Sequence, residues 1–268
     1  MTSLSAQGKT ALITGAGGGL GKVIAETFLL AGANVVICDI NPSRVSAVQD
    51  EWSATDSYAG RFLVRQADVT SEESLQSLVD AVVAQFGRLD VLVNNAGVMD
   101  DFTPVGACPR VEWDRVIGVN LTGTYLATKI AVNQMEAQEP KGGSIINIGS
   151  NASYRGMSSG VAYTVSKAGV VGLTKNTAGF YGPKGIYCSA LLLGGMADTN
   201  IAEGMARGQY FHHEMFQAVS ESQSRFDPAT KSLPLASVAK YILFLTDGDI
   251  AVNANGSCIV YNRNWPEA

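Results

Sequence analysis

The chain has 268 residues, of which 46% are hydrophobic and 16% charged, and its formal net charge is −5. Such a composition supplies a large buried core and argues against disorder. The acidic balance, with no run of Lys and Arg along a predicted face, excludes the electrostatic footprint of nucleic-acid binding. No apolar run approaches the length of about 18 residues that a membrane span needs, and the stretch from Met1 to Lys9 is polar, so a soluble, cytoplasmic protein is expected.

Short apolar runs alternate with longer amphipathic stretches, the pattern of parallel strands joined by crossover helices in an α/β fold. Thr10 to Thr14 reads as a first strand and Leu20 to Leu30 as a helix. Asn34 to Asp39 is a second strand, followed by a helix that Pro42 initiates. Phe62 to Asp68 makes a third strand. Ser71 then caps a helix that runs to Phe86, with Glu72 and Glu73 in its first turn. Asp90 to Asn94 is an almost continuous apolar run, as expected of a strand covered on both faces. A long helix is predicted over Val111 to Met135, a fifth strand over Ser144 to Gly149, a helix over Val161 to Phe180 and a sixth strand over Ile186 to Leu193. Gly195 to Pro234 lacks a strand pattern and predicts short helices that cover a site. Leu235 to Leu245 and Ser257 to Tyr261 are expected to finish the sheet. No repeat or linker divides the chain, so residues 1–268 form one domain with a lid at about 195–234.

The four cysteines, Cys38, Cys108, Cys188 and Cys258, are widely spaced and read as reduced, buried small hydrophobes. His212 and His213 are the only histidines, and adjacent side chains diverge, so no metal site is expected.

The first strand runs straight into Thr14-Gly15-Ala16-Gly17-Gly18-Gly19-Leu20-Gly21, and a helix follows at once. A glycine-rich turn in that context brings backbone N–H groups and a helix N-terminus against a pyrophosphate. The spacing is TGxxxGxG, not GxGxxG, because Leu20 takes the last glycine position. Asp39 ends the second strand, where a carboxylate accepts hydrogen bonds from a ribose 2′-OH and repels a 2′-phosphate. NAD is therefore favoured over NADP, although a strand-end Asp also suits a cap for the helix at Pro42. Asp68-Val69 and Asn94-Asn95-Ala96-Gly97 end the third and fourth strands. Together with Gly15, Gly18, Gly19, Leu20, Gly21 and Asp39, the residues Asp68, Val69, Asn95, Ala96 and Gly97 outline a cofactor track.

Tyr163 and Lys167 stand at i and i+4 and share a helix face. A phenol titrating near 10 shuttles protons poorly at neutral pH, and a nearby ammonium would lower that pKa. Ser150, at the end of the fifth strand, suits a hydrogen bond to the same substrate oxygen. A lone YxxxK pair also fits a solvated helix face; the serine and the glycine turn argue against that.

From Lys9 to Trp265 the chain resembles the short-chain dehydrogenase/reductase family, in its TGxxxGxG and YxxxK branch. The resemblance implies a single-domain, doubly wound Rossmann-like fold with a seven-stranded parallel sheet flanked by helices. It maps a catalytic tetrad onto Asn120, Ser150, Tyr163 and Lys167. Tyr163 would exchange the proton, Ser150 would orient the substrate oxygen, Lys167 would bind the nicotinamide ribose, and Asn120 would hold a water leading to solvent. Tyr163, Lys167, Met196 and Thr199 are further cofactor contacts on this basis. Homodimers or homotetramers through the two long helices are implied as well. The family's Pro-Gly after the sixth strand is Leu193-Gly194 here, so either Thr199 or Asp198 takes the usual threonine's place at the nicotinamide. Its C-terminal Asp-Gly-Gly is Asn262-Arg263-Asn264, which removes easy access to φ > 0. Met157, Met196, Met205, Tyr210, Phe211, Met215 and Phe216 would make an apolar substrate pocket. The expected activity is hydride transfer between NAD(H) and a bulky, mostly apolar secondary alcohol or ketone. An epimerase, an imine or enone reductase, or a non-catalytic dinucleotide sensor or scaffold are the alternatives.

Overall fold

The computed structural model describes residues 4–201, 203, 210–223 and 226–266. Its centre is a seven-stranded sheet with the order β3-β2-β1-β4-β5-β6-β7. The strands are β1 (Thr10–Thr14), β2 (Asn34–Asp39), β3 (Phe62–Gln66), β4 (Val91–Asn94), β5 (Gly143–Ser150), β6 (Ile186–Leu193) and β7 (Cys258–Tyr261). Every neighbouring pair is parallel. The order reverses between β1 and β4, and a crevice opens there at the carboxyl ends of the strands. The doubly wound Rossmann-like fold implied by the sequence is the fold observed.

Helices α1 (Gly19–Leu30), α2 (Pro42–Ser53), α3 (Glu72–Phe86), α4 (Arg110–Ile117), α5 (Thr124–Ala137) and α6 (Val161–Tyr181) cover the two faces. Two large apolar clusters form, one on each side of the sheet. One holds Ile13, Phe28, Ile37 and Trp52, and the other holds Leu12, Val36, Leu92 and Ile145. Adjacent residues of β1 and β2 thus point to opposite cores, which is why those strands read as unbroken apolar runs. The Ser71 hydroxyl caps α3 by accepting from the Ser74 N–H. Asn41, not Asp39, caps α2, accepting from the N–H groups of Ser43 and Arg44.

Three expectations are corrected. Leu235–Leu245 is a helix, not part of the sheet: Val238, Ala239, Ile242, Leu243 and Leu245 are buried at helical spacing. Burying each large side chain of that set is worth roughly 1.5–3 kcal/mol, more than any β-propensity of the segment, a scale that spans about 1 kcal/mol. The third strand ends at Gln66 rather than Asp68, whose carboxylate turns back to accept from the Thr70 N–H and hydroxyl. The long helix over Val111 to Met135 is interrupted by a π-helical segment at Gly118–Gly123.

The segment 195–234 contributes α7 (His213–Ser222) and α8 (Pro228–Lys231) among the described residues, and α9 (Leu235–Leu245) and α10 (Gly248–Asn253) precede β7. Cys38 and Cys188 are buried, Cys108 and Cys258 are partly so, and all four are free. Burial pushes the Cys38 and Cys188 thiols up to about 12, which leaves them unreactive. No described helix is long and apolar enough to cross a membrane, and no cluster of described residues is suited to a metal ion.

Candidate active site

The crevice at the topological switch point holds a cleft of about 360 Å³. Its wall at the β1–α1 turn is a tight interlock. The Thr14 hydroxyl accepts from the N–H groups of Asn95 and Ala96, each at 3.1 Å, and the Asn95 amide donates to the carbonyls of Thr14 and Gly15, each at 2.9 Å. Gly15 stands at φ 62°, and a Cβ there would lie 2.7 Å from the Ala96 Cα. A Cβ on Gly21 would lie 2.6 Å from the Gly15 carbonyl oxygen. The glycines are therefore needed for the turn's own packing as well as for a backbone surface open to a ligand.

All the cofactor-binding residues expected from the sequence line this cleft: Gly15, Gly18, Gly19, Leu20, Gly21, Asp39, Asp68, Val69, Asn95, Ala96, Gly97, Tyr163, Lys167, Met196 and Thr199. Asp39 is buried and its two oxygens accept from the N–H groups of Gly17 (3.0 Å) and Asn41 (2.9 Å). This fixes the carboxylate at the mouth of the cleft. Thr199, not Asp198, reaches the lining after β6, and Leu193 and Gly194 also line it. The segment beyond β6 lies directly over the glycine turn, with Asn200 against Gly18 and Thr199 against Gly19. Glu203 pairs with Arg44 across the opening. Asn200, Ile201 and Glu203 were missed from sequence because nothing in their local pattern marks them; only the path of the chain after β6 does.

At the other end, Ser150, Tyr163 and Lys167 line the cleft floor. Tyr163 is 6% and Lys167 4% exposed, so the helix face they share is a buried one. Burial pushes the Tyr163 phenol up to about 12, partly offset by a hydrogen bond with Ser150. Burial likewise pulls the Lys167 ammonium down to about 8. Burial is the first cause of the phenol's shift, and Lys167 is not among its causes. The Lys167 Nζ stands 5.7 Å from the Tyr163 ring centre and donates to the Ile148 carbonyl at 2.8 Å.

Asn120 sits in the π-helical segment, fully buried and outside the cleft lining. Its amide holds both the N–H and the C=O of Val98, at 2.8 and 2.9 Å, and donates to Ser166 at 3.1 Å. A Cβ on Gly97 would meet the Asn120 Oδ1 at 3.4 Å and the Lys167 Nζ at 3.7 Å, so the Asn and the Lys converge on one glycine. Ser150 is held from behind. Its N–H donates to Ser153, and its hydroxyl accepts from the Ala152 N–H. The next residue, Asn151, donates to the Trp265 carbonyl at 2.9 Å and accepts from Asn262. The turn after β7 forms without glycine, because Arg263 and Asn264 both adopt φ 53°.

Residues 9–209 match the family model of the short chain dehydrogenases. The chain belongs to the short-chain dehydrogenase/reductase family. A short chain dehydrogenase/reductase (dpchG) of Colletotrichum higginsianum is 45% identical over 96% of this chain and 94% of the relative. The 3β-hydroxysteroid dehydrogenase 2 of Eggerthella lenta is 33% identical over 96% and 95%. The crystal structure of levodione reductase superposes with a TM-score of 0.82 at 27% identity, covering 96% of this chain and 97% of that one. Members of this dehydrogenase/reductase family are oxidoreductases that bind a nicotinamide dinucleotide, and the glycine cradle fits such a group. Gly21→Ala is expected to cost about 1–3 kcal/mol through overpacking and to weaken dinucleotide binding. Thermal denaturation and a fluorescence titration with NADH would measure the two effects.

Among the described residues expected to wall a substrate pocket, only Met196 lines the cleft. Phe211 and Phe216 instead pack on Phe102, with ring centres 6.0 and 5.0 Å away, while Met157 and Tyr210 are exposed. Met215 is partly buried in α7, and Met205 lies outside the described residues.

Proposed function

We propose that the chain transfers a hydride between NAD(H) and the carbinol or carbonyl carbon of a bulky, mostly apolar secondary alcohol or ketone, with Tyr163 exchanging the proton. The observation that carries this reading is the burial of Tyr163 and Lys167 beside Ser150 on the floor of a cleft that Asp39 also lines. A bound nicotinamide supplies or takes the hydride. Ser150 holds the substrate oxygen, Tyr163 gives or accepts its proton, and Lys167 offers donors to ribose hydroxyls near the phenol. Exclusion of water by the buried floor strengthens each of these contacts.

NAD is favoured by the charges lining the cleft. Among the described residues lining the cleft, Asp39, Asp68 and Glu203 are carboxylates, and the cation beside them, Arg44, is paired with Glu203. A 2′-phosphate placed there meets net repulsion. Titration of the protein with NADH and NADPH, followed by nicotinamide fluorescence, should give at least about tenfold tighter binding of NADH, which is roughly 1.4 kcal/mol. Asp39→Ala should narrow that gap. Tighter binding of NADPH by the unaltered protein would reject the cofactor assignment and leave the oxidoreductase reading standing.

Val98, Ile148, Leu193, Met196 and Ile201 give the reactive end apolar walls. That supports an apolar substrate, as do the names of the hydroxysteroid dehydrogenase and levodione reductase relatives. A 3β-hydroxysteroid with NAD and levodione with NADH are the first pairs to assay. Turnover confined to small polyols would overturn the substrate class. We also propose a homodimer or homotetramer, supported by Val111, Tyr125, Val165 and Phe180, which lie exposed on α4, α5 and α6. Light scattering that returned a monomer mass would count against it.

A further inference from the structure

We infer that Asp100 is a positioning residue for the proton-transferring Tyr163: its carboxylate holds the first turn of α6, and its charge sets how readily the phenol ionises. This inference rests on the role proposed above for Tyr163.

Helix α6 carries both Tyr163 and Lys167, yet it begins without the usual provisions. Its N-cap is Gly160, which offers no side chain, and its first turn holds no acidic residue. The orphan N–H groups and the positive end of a 21-residue helix are thus left to another part of the chain. Asp100, in the strap after β4, fills that place and is completely buried. One oxygen accepts from the Ser159 hydroxyl at 2.7 Å, the Gly160 N–H at 3.0 Å and the Phe102 N–H at 3.3 Å. The other accepts from the backbone N–H of Tyr163 itself, at 2.9 Å. Four donors converge on one group, which therefore acts as an acceptor only, the behaviour of a carboxylate. The fit leaves no slack, since a Cβ on Gly160 would lie 2.6 Å from the Asp100 Oδ2.

The charge has a consequence for the phenol. The bare N-terminus of α6 would favour a phenolate in its first turn, and a carboxylate seated on that terminus cancels the effect. In keeping with this, Asp100 adds to the rise in the Tyr163 pKa, after burial and against the hydrogen bond from Ser150. The other charged or titratable groups around this corner are Glu112, Cys108, Asp101, Arg115 and Lys167. Glu112 of α4 accepts from the Asp101 N–H and the Thr103 hydroxyl and lies beside the Cys108 thiol. Asp101 stands next in the strap, Arg115 of α4 holds the Met99 carbonyl, and Lys167 holds that of Ile148. The same strap also anchors the lid: Phe102, at φ 59°, packs on Phe211 and Phe216, and the Asp101 carbonyl accepts from the His212 N–H. Asp100 thereby joins the catalytic turn to the covering segment.

The test compares Asp100→Asn with Ser159→Ala, following oxidation of a 3β-hydroxysteroid by NAD across pH. Asp100→Asn removes the charge, so the limb on which turnover rises with pH should move to lower pH by about half a unit or more, with kcat reduced and NADH binding unchanged. Ser159→Ala keeps the charge and removes one donor, so its limb should move the other way. An Asp100→Asn limb that stays in place, whatever happens to kcat or thermal stability, would mean a purely structural cap and would overturn the inference. Should Asp100→Asn not fold, the direction of the Ser159→Ala shift decides: upward supports the inference, and no shift or a downward one refutes it. Should the unaltered protein fail to oxidise any such alcohol, the proposed function has failed, and the inference is then read without turnover. The phenolate absorbance of Tyr163 at about pH 10.5, obtained by subtracting the spectrum of a matched Tyr163→Phe protein, should be larger in Asp100→Asn. Equal absorbance would refute it.

Discussion

Tyr163→Phe is expected to lower turnover by about 10²- to 10⁴-fold, the span that general acid–base groups supply, while NADH binds as before. The side chain keeps its ring, so the packing with Val116, Ala152 and Ala162 survives, and only the exchangeable proton is lost. Removing a buried hydroxyl also leaves the Ser150 hydroxyl without that partner, a cost of about 1 kcal/mol. That cost is too small to account for such a loss of rate through unfolding. Steady-state kinetics and an NADH titration on the same preparation separate the two effects. A protein that only senses or carries the dinucleotide would show no rate to lose, and its binding would be indifferent to the substitution.

Lys167→Met should act in opposite directions on activity and on stability. The ammonium is buried and its pKa falls from 10.5 to about 8, with desolvation as the cause. Between those values the unfolded chain holds a proton that the folded one has released, so the stability of the unaltered protein rises with pH through that window. At neutral pH the charged form carries a penalty of up to about 3 kcal/mol. Methionine fills a similar volume without it. The variant should therefore be more stable than the parent at pH 7, with the advantage shrinking as pH passes through about 8 towards 10.5, while turnover is lost. Urea denaturation at several pH values would measure this, and a variant less stable than the parent at neutral pH would refute it. Greater stability of the variant would mean that the helix keeps an expensive charge for the proposed reaction and not for the fold.

The elements most legible in the sequence were those with two independent signals. The β1–α1 turn showed both its glycine spacing and its place between an apolar run and a helix, and Ser71 announced α3 with its two following glutamates. Leu235–Leu245 misled because an apolar run of that length states burial and not its period, and the pattern became clear only when the buried set proved to be spaced for a helix against α1. The ionisation of Tyr163 was not legible for a related reason. Spacing along a helix reports which groups are neighbours, whereas burial decides between attraction and desolvation, and burial belongs to the whole fold. Asp100 carried no local mark at all. Its meaning depends on the N-terminus of α6, some sixty residues later, which arrives with neither a cap nor an acid of its own.

The loop behind Ser150 is completed from far away, since Asn151 is held by a carbonyl 114 residues further along the chain. A chain that held the glycine turn, the serine, the tyrosine and the lysine but lacked the stretch around Trp265 would therefore lack one support of the loop behind Ser150. The bonds within the loop, from the Ser150 N–H to Ser153 and from the Tyr154 hydroxyl to Asn151, would remain, but its tie to the C-terminal turn would not. The order of the Ser150 loop is thus tied to the turn that follows β7, at the far edge of the sheet.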